Sequence, residues 1–380
     1  MKIKEMPGFG RRGHIVEDLD PNISYEDWME LGKLHLDDLV TVFVDTKLDS
    51  KRFGQLVRYW GMEQATNTYL MLKKYGFKSQ KDLEHILIDW DNKSHLIDKE
   101  DKDWLWFHLR VFDHDSTAIR VCSHKDEEGN AKGIFASGEL DWHSNESARL
   151  HFASGVALMG SQSMKGSATG FMQTADWYED QKASMKSQLD AMIIVHEFHE
   201  GLINPDSDEE DQKELDMYTK FNQCPETIEL PLVRLSPGGI RGLNVGNNTI
   251  DRVKGLTKKE SDEFWTWLKS ELYVEEYMYD HWYQSDSDFV VFDQAITQHR
   301  RLGHFQDENG KWTMGDRVAL RMQMDFYPLL KYLDREPYNP WIHEPWHSDF
   351  IPIDKEMKQY LDDPRCYPER EGEELESIFS

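Results

Sequence analysis

The chain of 380 residues has only three cysteines, Cys122, Cys224 and Cys366, scattered and without a C-x-x-C spacing. It therefore offers no disulfide framework, and a reducing, cytoplasmic compartment is the expectation. It has no run of 18 apolar residues, so no membrane-spanning helix is expected. Its first residues, Met1-Lys2-Ile3-Lys4-Glu5, lack the apolar core of a signal peptide. Cationic side chains are scarce: 44 Lys and Arg face 71 Asp and Glu, for a formal charge of −27. Such a surface repels nucleic acid and anionic membrane alike, and neither is an expected partner. No glycine-rich phosphate loop follows a strand and opens a helix, and Gly238-Gly239 and Gly242 to Gly246 read as turns. No internal repeat or low-complexity linker is found.

What is present is ample core material, 39% hydrophobic and 12% aromatic, enough for one large domain or two. Ser24 with Glu26-Asp27 opens a predicted helix to about Leu36. Leu39 to Val44 reads as a buried strand, Asp49-Ser50 caps a helix from Lys51 to Trp60, and Met62 to Tyr75 continues helical. Short strands follow: Trp104 to Phe112, Ala118 to Cys122, Gly133 to Leu140, Leu150 to Met159 and Ser167 to Met172. Gln173 to Ala191 is predicted helical, and Met192 to Phe198 and Ile228 to Leu235 are predicted strands. Thr257-Lys258-Lys259-Glu260 is a capping box for a helix to about Leu272. Asp288 to Asp293 and Arg317 to Tyr327 are the last strands. Many short strands with few helices between them indicate a sandwich or barrel, for which a two-sheet jelly roll is a common solution. Acidic runs at Asp206 to Asp211 and Glu369 to Glu376 read as solvated loop and tail.

Two stretches carry candidate chemistry. In Glu139-Leu140-Asp141-Trp142-His143-Ser144-Asn145-Glu146, a histidine ends a strand-like run and a possible oxygen donor follows two residues later. Residues i and i+2 of a strand share a face, so His143 and Asn145 could address one metal. His299, beyond the apolar run Asp288 to Asp293, would close the third corner. Two histidines and one oxygen donor on one face suit non-haem Fe(II). Arg317 and Arg321, four apart in a predicted strand, share a face, and a buried arginine pair is costly unless it meets an anion. Trp346-His347-Ser348-Asp349 also carries a histidine-x-aspartate, but in a Pro-rich tail without a strand pattern, and reads as structural or substrate-capping. His196-Glu197-Phe198-His199-Glu200 lacks the i, i+4 spacing of a helical zinc motif and reads as surface or core.

In order and texture these segments resemble the TauD-like family of Fe(II)- and 2-oxoglutarate-dependent dioxygenases, over residues 10 to 327. Leu39 to Phe43 with Phe53 to Gly61 resembles the family's N-terminal strand and helix. Trp142-His143-Ser144-Asn145 stands where the family carries histidine-x-aspartate. Gly166-Ser167-Ala168-Thr169-Gly170-Phe171 is similar to the segment holding a co-substrate threonine, and Asp288 to Asp293 with His299 resembles the distal-histidine strand. Pro231 to Arg234 with Ile250 to Thr257 matches the segment before the late helix.

The resemblance implies a double-stranded β-helix (jelly roll) with flanking helices over residues 1–327, and a C-terminal extension over 328–380. It implies iron ligation by His143 and His299, and a 2-oxoglutarate carboxylate held by Arg321 with Arg317 and Thr169 assisting. The implied reaction couples oxidative decarboxylation of 2-oxoglutarate to C–H hydroxylation of a small molecule by dioxygen. A homo-oligomer is common in the family. Where the family has an aspartate this chain has Asn145. The third ligand position stays open between its neutral amide, Glu146 brought round by a bulge, and water or an anion. Halogenation, and a non-catalytic jelly roll with a degenerate iron site, are the alternatives. Gly303 to Gly315, with Asp307-Glu308-Asn309-Gly310, reads as an inserted hairpin between His299 and the arginines.

Overall fold

Continuous apolar runs, not alternating ones, mark the central strands, because both of their faces are covered. In Phe289–Asp293, Phe289 and Val291 join the cluster that packs under helices, while Val290 and Phe292 join a second, inner cluster. The same parity holds in Val318–Asp325, where Val318, Leu320, Met322 and Met324 face the helices.

A computed structural model describes residues 1–63, 118–135, 140–145, 153–197, 227–247, 249–303 and 312–335, with positions 95, 97, 98, 110, 111, 113, 115, 116, 305 and 306. In chain order the strands are β1 (Lys2–Glu5), β2 (His14–Glu17), β3 (Val40–Val44), β4 (Met62–Glu63), β5 (Ile119–Val121), β6 (Leu140–His143) and β7 (Gly155–Gln162). Then come β8 (Ala168–Gln173), β9 (Ile193–Glu197), β10 (Thr227–Pro231), β11 (Val233–Leu235), β12 (Arg241–Leu243) and β13 (Ile250–Val253). The last are β14 (Met278–Trp282), β15 (Phe289–Asp293), β16 (Thr297–Leu302), β17 (Phe305–Gln306), β18 (Trp312–Thr313) and β19 (Val318–Asp325). The helices are α1 (Tyr25–Asp38), α2 (Ser50–Trp60), α3 (Ala175–Asp180), α4 (Ala183–Asp190), α5 (Lys258–Leu272) and α6 (Tyr327–Tyr332).

Two sheets make the body, a jelly roll. The larger has the order β1-β2-β3-β15-β7-β19-β4, with β5 also on β19, and the smaller has the order β14-β8-β16-β6. Their inner faces meet in one cluster, in which Val42, Val156, Val290 and Phe292 of the larger sheet pack against Phe171 and Tyr279 of the smaller. Helices α1, α2 and α6 cover the outer face of the larger sheet. Helix α5 covers the smaller sheet with Trp265, Leu268 and Leu272 against Trp142 and Met172. No helix among the described residues is long and apolar enough to cross a membrane.

Local chemistry explains the helices. Ser24 Oγ accepts from Asp27 N at 3.1 Å and Asp49 Oδ1 from Arg52 N at 2.7 Å, each satisfying an orphan amide of a first turn. Thr257 and Glu260 form the reciprocal capping box expected for α5. Trp28 of α1 and Trp60 of α2 stack at 4.3 Å, and each indole N–H reaches a carbonyl, Leu56 O at 2.7 Å and Trp28 O at 2.8 Å. The helices approach so closely at Gly32 that a Cβ there would lie 2.7 Å from Trp60 Nε1.

Several boundaries differ from expectation. The helix expected over Met62 to Tyr75 is a strand at Met62–Glu63, paired with Met324 and Asp325, and positions 64–75 lie outside the described residues. Gly61 is extended there and so close to Met324 that the chain joins the sheet instead of continuing α2. Arg110 and Val111 are helical, within the strand expected over Trp104 to Phe112; nothing in the described structure explains it. The helix expected over Gln173 to Ala191 begins later and is two helices, because Gln173 still pairs with Thr297 in the sheet and Gln181 is extended. The strand expected over Ile228 to Leu235 breaks at Leu232, its halves pairing with β9 and with β12. The hairpin expected between Gly303 and Gly315 is present as β17 and β18. Strands β1, β2, β12, β13 and β14 were not anticipated. Of the C-terminal extension, positions 336–380 lie outside the described residues.

The Trp28–Trp60 stack ties both helices to the larger sheet. Trp60→Ala is expected to destabilise the protein by about 3–5 kcal/mol, read as a lower urea midpoint at unchanged slope.

Candidate metal centre

Strand β16 lies between β8 and β6, and its register puts His299 directly opposite His143 on one side and Phe171 on the other. The two imidazole rings lie 4.1 Å apart, and the His299 ring packs on Phe292 of the inner cluster at 4.7 Å. His143 Nδ1 is 2.7 Å from the Asp141 carbonyl, so Nδ1 carries the proton there and Nε2 is left with a lone pair. His299 Nδ1 is buried and has no hydrogen-bond partner among the described residues.

Burial pushes the His143 imidazole down to about 4, helped by the charges of Arg321 and Arg301 and opposed by the Asp141 carbonyl. Burial, the neighbouring His143 and Arg321 hold His299 well below the usual histidine range. Both rings are therefore neutral near pH 7, the form that binds a metal.

Arg321 lies on the inner face of β19, and Arg317 immediately precedes that strand. Arg321 alternates with Leu320 and Met322, which face the helices, and it pairs with Leu158 of the inner cluster. It is 8% exposed and lies over the Phe135 ring at 5.3 Å; no carboxylate contacts it among the described residues. Arg317, 7% exposed, donates from Nη2 to Gly166 O at 3.4 Å. Arg301, two residues beyond His299, donates from Nη1 to Phe135 O at 2.8 Å, and its charge reaches His143. Sequence reasoning missed Arg301; its i+2 spacing from His299 was the available signal. Thr169, on β8 two residues before Phe171, is buried and shares a 3.2 Å hydrogen bond with the Tyr283 hydroxyl.

Asn145 follows His143 at the end of β6, half-buried, and its Nδ2 is buried without a partner among the described residues. An amide exchanges N and O by a half-turn, so this orphan position can equally hold the carbonyl oxygen as a donor. Two neutral imidazoles and a neutral amide oxygen fit a divalent ion, with less charge compensation than a carboxylate would give. Among the described residues no three His, Cys, Asp or Glu side chains converge on a metal position. Glu146, His199 and the segment Trp346 to Asp349 lie outside the described residues. His196 is buried on β9, bonded through Nδ1 to Thr249 Oγ1 at 2.9 Å, and burial pushes it down to about 3, so it is a core histidine.

The family profile described as "Taurine catabolism dioxygenase TauD, TfdA family" matches residues 106–319, a stretch that contains His143, Asn145, Thr169, His299 and Arg317. No curated protein matches the chain in sequence. The fold is similar to the crystal structure of a taurine dioxygenase from Burkholderia xenovorans, with TM-score 0.53 and 14% identity over 85% of this chain and 88% of that one. It is similar also to AAD-2 in complex with Mn(II) and N-oxalylglycine, with TM-score 0.52 and 14% identity over 85% of this chain and 97% of that one.

The turn behind the histidines rests on a buried polar group that the sequence did not reveal. Ser144 Oγ donates to Gln294 O at 2.7 Å, and the neighbouring Asp293 accepts from Ile296 N at 2.8 Å to shape the turn into β16. Burial pushes the Asp293 carboxyl up to about 7, against the opposing effects of backbone amides and Arg234. A carboxyl whose pKa is higher folded than unfolded stabilises below its unfolded value, near 4, and loses that contribution as pH rises through about 7. Asp293→Asn is therefore expected to flatten the fall in stability between about pH 4 and 7, measured by denaturation at several pH values. An unchanged slope would assign the charge elsewhere.

Proposed function

The chain belongs to the TauD, TfdA dioxygenase family, and we propose that it is an Fe(II)- and 2-oxoglutarate-dependent oxygenase that oxidises a C–H bond of a small-molecule substrate. The observation that carries this reading is the pairing of two neutral histidines, His143 and His299, inside a barrel that also buries Arg321 without a carboxylate contact among the described residues. His143, His299 and the Asn145 amide would hold the metal, which supplies the dioxygen and one-electron chemistry that side chains lack.

The remaining work falls to the chain itself. Arg321 and Arg317 provide fixed positive charge for the carboxylate of the 2-oxo acid, and Thr169 a buried hydroxyl. Phe171 and Phe292, at 5.1 Å, wall the histidines with apolar surface that excludes water and strengthens every charge interaction nearby. The Asp141 carbonyl fixes the His143 tautomer. With Asn145 in place of a carboxylate, the metal centre carries one more positive charge, which favours anionic ligands at its open positions.

Anaerobic addition of Fe(II) and 2-oxoglutarate is expected to produce the visible charge-transfer band of an iron–keto acid chelate, lost in His143→Ala and in His299→Ala. A folded protein that shows no band at any iron concentration would overturn the reading. Arg321→Met should weaken 2-oxoglutarate binding on the order of a hundred-fold while metal affinity, titrated alone, stays the same.

A further inference from the structure

Strand β6 carries His143 at the edge of the smaller sheet, so among the described residues it is paired on one side only. That pairing is also irregular. His143 stands opposite His299, but Leu140 stands opposite Arg301, so Asp141 and Trp142 together face Arg300 alone. An extra residue of this kind is a β-bulge, which bends the strand and re-aims the side chains beside it. A ligand one residue past a bulge, on an edge strand, is not held in place by the backbone ladder alone. The Asp141 carbonyl orients the His143 ring, but it belongs to the same bulge and cannot fix the distance to His299.

The brace lies on the outer face. Trp142, 7% exposed, belongs to the cluster under α5. The Arg300 guanidinium lies over its ring at 4.3 Å, and the Tyr273 ring lies nearly parallel to it, at 6.0 Å and 11°. Both partners are themselves fixed. Arg300 Nη2 donates to the two carboxylate oxygens of Asp280 on β14, at 3.2 and 3.1 Å. This pair crosses β8 at Gly170, where a Cβ would lie 2.4 Å from Asp280 Oδ1 and 2.9 Å from Arg300 Cγ, so the missing side chain gives the pair its room.

Tyr273 ends α5, its N–H donating to Lys269 O at 2.9 Å. Its hydroxyl donates to Gln298 Oε1 and accepts from Asn247 Nδ2, each at 2.8 Å. Burial raises the phenol above its usual range, so it remains a donor at neutral pH. Gln298 is 2% exposed, donates through Nε2 to Val245 O, and immediately precedes His299. Tyr273 therefore touches the residue before each histidine, Trp142 with its ring and Gln298 with its hydroxyl. Arg300 joins the same two strands, since it follows His299 in β16 and lies over Trp142 of β6.

We propose that Tyr273 and Arg300 are positioning residues of the metal centre, which clamp Trp142 from outside the barrel and so fix the edge-strand ligand His143 against His299. This rests on the oxygenase reading above and adds to it two residues on the outer face of the sheet. Ordering a loosely held ligand weakens binding, so the clamp acts on metal affinity and on the symmetry of the bound ion.

The test is anaerobic titration of the full-length protein with Co(II) alone, followed by calorimetry and by the ligand-field absorption of the bound ion. Tyr273→Leu removes the stacked ring and the hydroxyl, and Arg300→Met removes the guanidinium but keeps an unbranched side chain. Each is expected to weaken Co(II) about ten-fold and to shift the ligand-field bands. Arg300→Lys, which keeps a cation, should recover part of the loss. Trp60→Ala destabilises the fold from the other sheet and, while folded, should bind Co(II) as the wild type does. If Tyr273→Leu does not fold, Tyr273→Phe, which keeps the ring and releases only Gln298 and Asn247, replaces it with a smaller expected loss. Unchanged affinity and bands in the folded tyrosine and arginine variants overturn the proposal and leave the oxygenase reading intact. An equal loss in Trp60→Ala does the same, because the loss would then report stability alone. Wild-type protein that binds no Co(II) removes the metal centre, and the proposal with it.

Discussion

Everything at the centre depends on the parity of β16 between its two neighbours. The register that sets His299 beside His143 also points Thr297 and Arg301 into the barrel, and a slip of one residue would turn all three outward. The larger sheet imposes the matching constraint on β19. Its Val318, Leu320, Met322 and Met324 are committed to the core under α1, α2 and α6, so Arg321 has only the inner face left. The apolar packing on the outside of one sheet thereby orients a charged side chain on its inside. The histidine pair and Arg321 belong to different sheets, and the charge of Arg321 reaches the two rings only because both parities hold.

The interior this creates opposes the surface in sign. A chain with a formal charge of −27 keeps Arg321 buried near two histidines that burial leaves uncharged. Buried cations without compensation are costly, and the cost is offset when a ligand brings negative charge. Asn145 shifts the same balance in the same direction, since an amide contributes no charge where an aspartate would contribute one. An anionic ligand is what such an interior is best suited to hold.

Local chemistry was readable wherever it acts within one element. The caps Ser24, Asp49 and Thr257 predicted their helices closely, because capping is a matter of three or four neighbouring residues. The double-faced apolar runs at Val40–Val44 and Phe289–Asp293 were equally plain. Reading failed where a contact distant in sequence overrode local preference. Met62–Glu63 leaves helix for sheet because β19 passes beside Gly61, and Gln173 stays in the sheet because Thr297 lies opposite. Strand β14 escaped notice because Asp280 and His281 interrupt its apolar pattern, although His281 is buried by its pairing with Asp288.

The sequence by itself therefore determined the strand-rich class, the caps, the acidic surface and the candidates His143, Asn145, His299, Arg317 and Arg321 from residue type and spacing, while Thr169 came only through the family resemblance. Only the tertiary structure decided that His143 and His299 are register neighbours with uncharged rings, that Arg301 and Tyr283 join the same interior, and that His196 does not. The physical reason is that protonation state and shared facing depend on burial and on strand pairing, and both are set by residues distant in the sequence.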